Sequence, residues 1–310
     1  MKNKILAFGS LSVAVLVASQ GAFAHTRLET PVIMEGTRVH NNVVIAHGCI
    51  GGKDSGGATV FNPTYGTTVV FPSIVGSANG GYDSIVGVDR TADNTTNPVY
   101  TKTPASHYIS IATFGQVGKL IRTGGPFPNT VVKADSKGNT DGFAAWGKNY
   151  DQSITTPVDV DFYSGAVVIS PKSCARSVTL EFAIADFCNN IDTPAAVATD
   201  AQILFWSPIP NFHGVPGQPF GTPKGDPSRK IPKGPAYSLY DGYEDAAHTI
   251  PGDGWGSPAT LMVTRNTATN PIPKGCTGNN GAGDDVYIYP SAEQINAELP
   301  IVTKEWHRAK

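Results

Sequence analysis

Charge is scarce in this 310-residue chain: Asp, Glu, Lys and Arg together make up 15%, and the formal net charge is -2. A protein that binds nucleic acid needs a basic surface to offset phosphate, so that class is excluded. Methionine is scarcer still, and three residues do not make a thioether-rich run for Cu(I), Met34 being an isolated soft ligand at most. No Cys-x-x-Cys is present, which removes the usual redox and zinc signatures. There is no Gly-x-Ser-x-Gly elbow for a hydrolase, no phosphate-cradling glycine loop and no internal repeat. Past the first 24 residues no apolar run approaches 18 residues, so a transmembrane helix in the mature chain is not expected. What is abundant is glycine, at 34, and proline, at 24. Together they stay below the roughly 25–30% that marks a disordered chain.

The N-terminus has the three parts of a secretory signal peptide. Lys2 and Lys4 give a positive start, Ile5 to Ala18 an apolar stretch, and Ala22-Phe23-Ala24 a small-x-small cleavage site. Residues 1–24 are expected to be removed. The mature protein is then expected in the periplasm, outside the cell or on its surface, where disulfides persist. Cleavage after Ala24 makes His25 the first residue. An N-terminal histidine offers two nitrogens, its α-amine and imidazole Nδ1, to one metal. With a second imidazole from elsewhere the set becomes three nitrogens in a plane, a geometry that suits Cu(II). An α-amine ordinarily loses its proton near pH ~8, so copper can displace that proton at neutral pH.

Most of the mature chain reads as short strands between turns. Residues 26–30 alternate polar and apolar, 31–36 read as a turn, and 38–46 form a second strand that delivers His47-Gly48-Cys49. Ile50 to Gly57 reads as a glycine-rich loop. Further strands are expected at 58–61, 67–71, 108–114, 117–122, 158–169, 177–187, 201–206, 259–263 and 286–289. In 177–187, Val178, Leu180, Phe182 and Ile184 alternate with Thr179, Glu181 and Ala183. Ser291 to Leu299 is the one expected helix, with Ser291 as its N-cap. Residues 208–235 hold eight prolines and five glycines, the composition of a loop or linker. The expected class is all-β, a sandwich with long loops.

A set of residues resembles the YcnI-like family of secreted, copper-associated bacterial domains. It comprises His25-Thr-Arg-Leu-Glu29-Thr-Pro31, Gly36, His47-Gly48-Cys49-Ile-Gly51, Thr59 and Pro72, then Trp146, a strand near Phe162, and Leu180-Glu-Phe182-Ala-Ile-Ala-Asp-Phe-Cys188. The match runs over about 25–206, is interrupted by insertions, and lacks the family's Pro-Gly-Trp after the third strand. The resemblance implies an Ig-like β-sandwich over 25–206. Residues 207–310 then form a linker and a C-terminal extension packing on it. It also implies a histidine brace: the α-amine and imidazole of His25, with a ligand from the second strand. His47 is the positional candidate. Strands joined by a short turn run antiparallel and lie about 4.8 Å apart, which brings the start of the first to the end of the second. Glu29 is a weaker candidate, about 13 Å further along the first strand, where a solvated polar face is its ordinary role. Trp146 is expected to cover the copper, as in the family, or to pack in the core. Of the three pairings that four cysteines allow, the resemblance favours Cys49–Cys188, leaving Cys174–Cys276 to tie the extension to the sandwich.

The function expected is copper binding, for acquisition, delivery or tolerance, with a copper-transfer protein as partner and no catalytic apparatus. A copper oxygenase acting on polysaccharide uses the same brace and is the enzymatic alternative. The non-metal alternative is a structural surface protein. His40, His107, His213, His248 and His307 are expected at the surface.

Overall fold

The computed structural model describes residues 26–90, 99–115, 127–135, 137–150, 157–188, 203–206, 259–291, 293–294 and 298. In chain order its strands are β1 (Arg27–Leu28), β2 (Val32–Met34), β3 (Val39–Ile45), β4 (Cys49–Lys53), β5 (Thr59–Asn62), β6 (Thr64–Val70), β7 (Ser84–Asp89) and β8 (Val99–Thr103). They continue with β9 (Ile109–Gly115), β10 (Asn129–Ala134), β11 (Thr140–Tyr150), β12 (Val158–Ile169), β13 (Ala175–Cys188), β14 (Ile203–Trp206), β15 (Ala259–Thr264) and β16 (Asp284–Tyr289). The protein is all-β, as its turn-punctuated sequence suggests.

The strands form two principal sheets. A four-stranded sheet has the order β1-β3-β12-β9 and is antiparallel throughout. A ten-stranded sheet has the path β10-β11-β6-β13-β16-β7-β8, with β14 and β15 also on β13 and β2 on β15. A small β4-β5 ribbon stands apart. At 14 residues, β13 is long enough to pair with four strands. Apolar residues at period two put Val178, Leu180, Phe182 and Ile184 of β13 into the core. They meet Leu28, Val43, Ile45, Val160 and Phe162 from the smaller sheet. Four phenylalanines bridge the layers: Phe71 lies 4.5 Å from Phe182, 5.9 Å from Phe143 and 6.1 Å from Phe162, between ring centres. These tilted and edge-on contacts are favoured by aromatic quadrupoles.

Several expectations change. Residues 259–289, read as an extension packing on the sandwich, supply two strands of the large sheet itself. β15 runs antiparallel to β13 and β16 runs parallel to it. Pairing across so long a sequence separation leaves no local signal. Pro31 to Gly36, read as a turn, contains β2, which pairs with β15 as a parallel strand. The glycine-rich stretch after His47 contains β4. Two antiparallel pairs, β7–β8 and the β10–β11 hairpin, add to the expected strands. The turn of that hairpin is built by Asp135, whose Oδ1 accepts from the backbone N–H of Lys137 and Asn139. Glu181, on the alternate face of β13, is buried because β13 is covered on both faces. The cap bond from Gln294 N–H to Ser291 Oγ forms at 3.2 Å, and residues 293 and 294 are helical. The expected strand at 117–122 lies outside the described residues.

Candidate metal centre

β1 and β3 are antiparallel neighbours, with Arg27 opposite Val44 and Leu28 opposite Val43. The start of β1 and the end of β3 therefore share one edge of the small sheet. His47 follows β3 by two residues and is buried, with 5% of its surface exposed. Its ring packs on Phe61 at 4.8 Å between centres, and its Nδ1 lies 2.7 Å from the carbonyl oxygen of Gly48. A carbonyl only accepts, so Nδ1 carries the proton and Nε2 has the lone pair in the neutral ring. Metal-binding histidines generally have their second nitrogen tied in this way. Position 48 must be glycine, because a Cβ there would collide with the carbonyl oxygen of Asn62. His25 lies outside the described residues. Among those that are described, no group of three or more His, Cys, Asp or Glu comes together to hold a metal.

The remaining expected residues fall in different places. Glu29 is exposed and accepts a bond from Asn42 Nδ2. It lies on the outward face of the small sheet near Asp159 and Asp161. Burial, aided by the charge of Glu29, raises both their carboxyls above the usual range. His40 is half exposed and 3.8 Å from Asp161. Trp146 is buried in β11, directly across from Gly66 of β6, which itself pairs with Phe187. The next row is Ala145–Thr67–Asp186. Because side chains alternate between faces, Trp146 and Asp186 lie on opposite faces of the large sheet. Cys174 and Cys276 are disulfide-bonded, and Cys188 is disulfide-bonded as well. On the backbone, Cys49 pairs with Asn62 and Cys188 with Thr64, two residues apart in the chain. His107 is exposed, with its Nδ1 at 3.0 Å from Thr103 Oγ1. His213, His248 and His307 lie outside the described residues.

One group was not anticipated. Asp186, fully buried on the core side of β13, accepts from Thr26 Oγ1 at 2.6 Å and from Thr67 Oγ1 at 2.7 Å. The signal was present in the sequence. Asp186 continues the apolar register of Val178, Leu180, Phe182 and Ile184, where a charge has no ordinary place.

The other end of β13 holds a second buried polar cluster, beside a cavity of about 710 Å³ lined by Glu35, Val168, Pro271, Ile272 and Lys274. Glu35 accepts from the backbone N–H of Ile169 and Asn266 and from Asn270 Nδ2. Arg265 donates to the carbonyls of Ala175, Ser170, Ser173 and Pro271 and to Asn270 Oδ1. With these bonds made, the cluster acts as a joint between strands.

No family model, no curated protein and no solved structure matches the chain.

Proposed function

We propose that this is an exported copper-binding protein whose metal is cargo, held by the α-amine and imidazole of His25 and the imidazole of His47. The observation that carries the reading is His47 itself. It is buried at the β3 end, its Nδ1–H is committed to Gly48 and its ring is held against Phe61. That is one preoriented imidazole with the tautomer a metal requires. It stands at the edge where β1 begins, and β1 itself starts two residues after position 25. The resemblance to YcnI-like domains and the signal-like residues 1–24 support the same reading. They favour the periplasm or the cell surface as its location and a copper-accepting or copper-donating protein as its partner. Copper supplies affinity for nitrogen donors; the chain supplies burial and orientation.

The test is Cu(II) titration of protein that begins at His25. One Cu(II) per chain, with the electron paramagnetic resonance signal of a tetragonal nitrogen site, is expected. Retaining Ala24 blocks the α-amine, and His47→Phe removes the imidazole while keeping a ring against Phe61; each should weaken binding at least about tenfold. Unchanged affinity in the extended form overturns the brace. Reductant-driven oxidation of polysaccharide by the loaded protein would move the reading to an oxygenase, and no copper binding to a structural surface protein.

A further inference from the structure

We propose that Asp186 is a positioning residue for this metal site, acting through Thr26 to fix where the chain delivers residue 25; this rests on the copper reading above. Three observations carry the inference. The first is place. Thr26 is the residue immediately after His25, and its hydroxyl donates to Asp186 Oδ2. The second is burial. Thr26, Thr67 and Asp186 are each at most 1% exposed, so their bonds form in a region of low dielectric where they hold strongly. The third is topology. Thr26 precedes β1 of the small sheet, while Thr67 and Asp186 are register partners on β6 and β13 of the large one. The carboxylate therefore clasps the two sheets together at the edge from which His47 projects.

β1 is only two residues long, so its own ladder defines its first residue weakly. Asn41 steadies its far end, donating to the Thr30 carbonyl and accepting from the Thr30 N–H. Asp186 does the same at the near end. Holding both ends of β1 lowers the ordering cost of bringing a ligand at its start to a metal, which is how a supporting shell raises metal affinity. Each Asp186 oxygen takes one of the two threonine hydroxyls.

The test compares Asp186→Asn, Thr26→Val and Thr67→Val with wild type, all beginning at His25, by Cu(II) affinity, electron paramagnetic resonance and thermal unfolding of the metal-free protein. Asp186→Asn and Thr26→Val should each weaken Cu(II) binding about 10- to 100-fold and alter the resonance parameters. Thr67→Val, which leaves the Thr26 bond in place, should weaken it less. Thr26→Val preserves side-chain shape and keeps the test valid if Asp186→Asn does not fold. If both variants lower the unfolding temperature but leave affinity and spectrum unchanged, the clasp is purely structural and the inference falls. If wild type binds no Cu(II), the copper reading falls and takes this one with it.

Discussion

The two ends of β13 bury charge in opposite ways. At its beginning, Arg265 is surrounded by backbone carbonyls and Glu35 by three donors, and the Cys174–Cys276 disulfide closes the same corner. At its end, Asp186 accepts from two hydroxyls, one of them beside the proposed mature N-terminus. The first cluster is knitted mainly to backbone, which fixes the fold and offers no group to a ligand. The second is made of side chains drawn from both sheets, and it governs where one short strand starts. A buried charge signals a site when its partners are themselves placed to act on something else.

That contrast can be broken in order of size. Arg265→Met leaves the carbonyls of Ser170, Ser173 and Ala175 without their donor and Glu35 without the neighbouring positive charge. A loss of about 4 kcal/mol in urea unfolding is expected, with Cu(II) affinity of the folded protein unchanged. Replacing Cys174 and Cys276 by Ser opens a loop with a sequence separation of 102 and should cost about 3 kcal/mol, again without effect on copper. If either change abolishes copper binding in protein shown to be folded, the two ends are not independent.

Midway along β13, Glu181 tests burial governed by desolvation. Desolvation raises its carboxyl from 4.5 to about 8, and Asp141 is raised from 3.8 to about 7, first by burial and then by Glu298. A carboxyl raised on folding contributes stability that is complete below the unfolded value and is lost as pH rises through the folded one. Unfolding free energy should therefore decline from about pH 4 to about pH 8. Glu181→Gln should remove part of that slope, and an identical slope in the variant would show that Glu181 is ionised in the folded protein. The smallest effect belongs to Glu29→Gln. The exposed carboxylate bonds the half-buried Asn42 at the surface, so stability should change by no more than about 0.5 kcal/mol and Cu(II) affinity should stay the same. A marked loss of affinity would bring Glu29 into the site as a ligand.

Strands whose two faces differ were legible. β3, β12 and much of β13 carry their alternation in Val43, Ile45, Val160, Phe162, Leu180 and Phe182. β11 was not, since Thr-Asp-Gly-Phe-Ala-Ala-Trp-Gly has too many small residues to show a period, yet packing against β6 demands small residues there. A Cβ at Gly142 would run into the carbonyl oxygen of Val69. β15 and β16 were recognised as strands but assigned to an extension, because residue patterns say what a segment is and not which distant partner it pairs with. In the candidate site, His47 could be named from its place after a strand. Asp186 occupies a core register in the sequence, but its role depends on Thr26 and Thr67, which only tertiary structure brings to it. His25 lies outside the described residues.

The placement of β15 and β16 against β13 also sets the order of assembly. Ser177–Phe182 pairs with Ala259–Thr264 on one side, and Ala175–Leu180 pairs with Asp284–Ile288 on the other, so neither edge is covered until those late segments have been made. Contacts of such long range form slowly, and until they do the hydrogen-bonding edges of β13 stay open to other chains. A nascent or truncated polypeptide ending before residue 259 therefore leaves those edges unpaired, and the chain must be complete through Tyr289 before its central strand is enclosed.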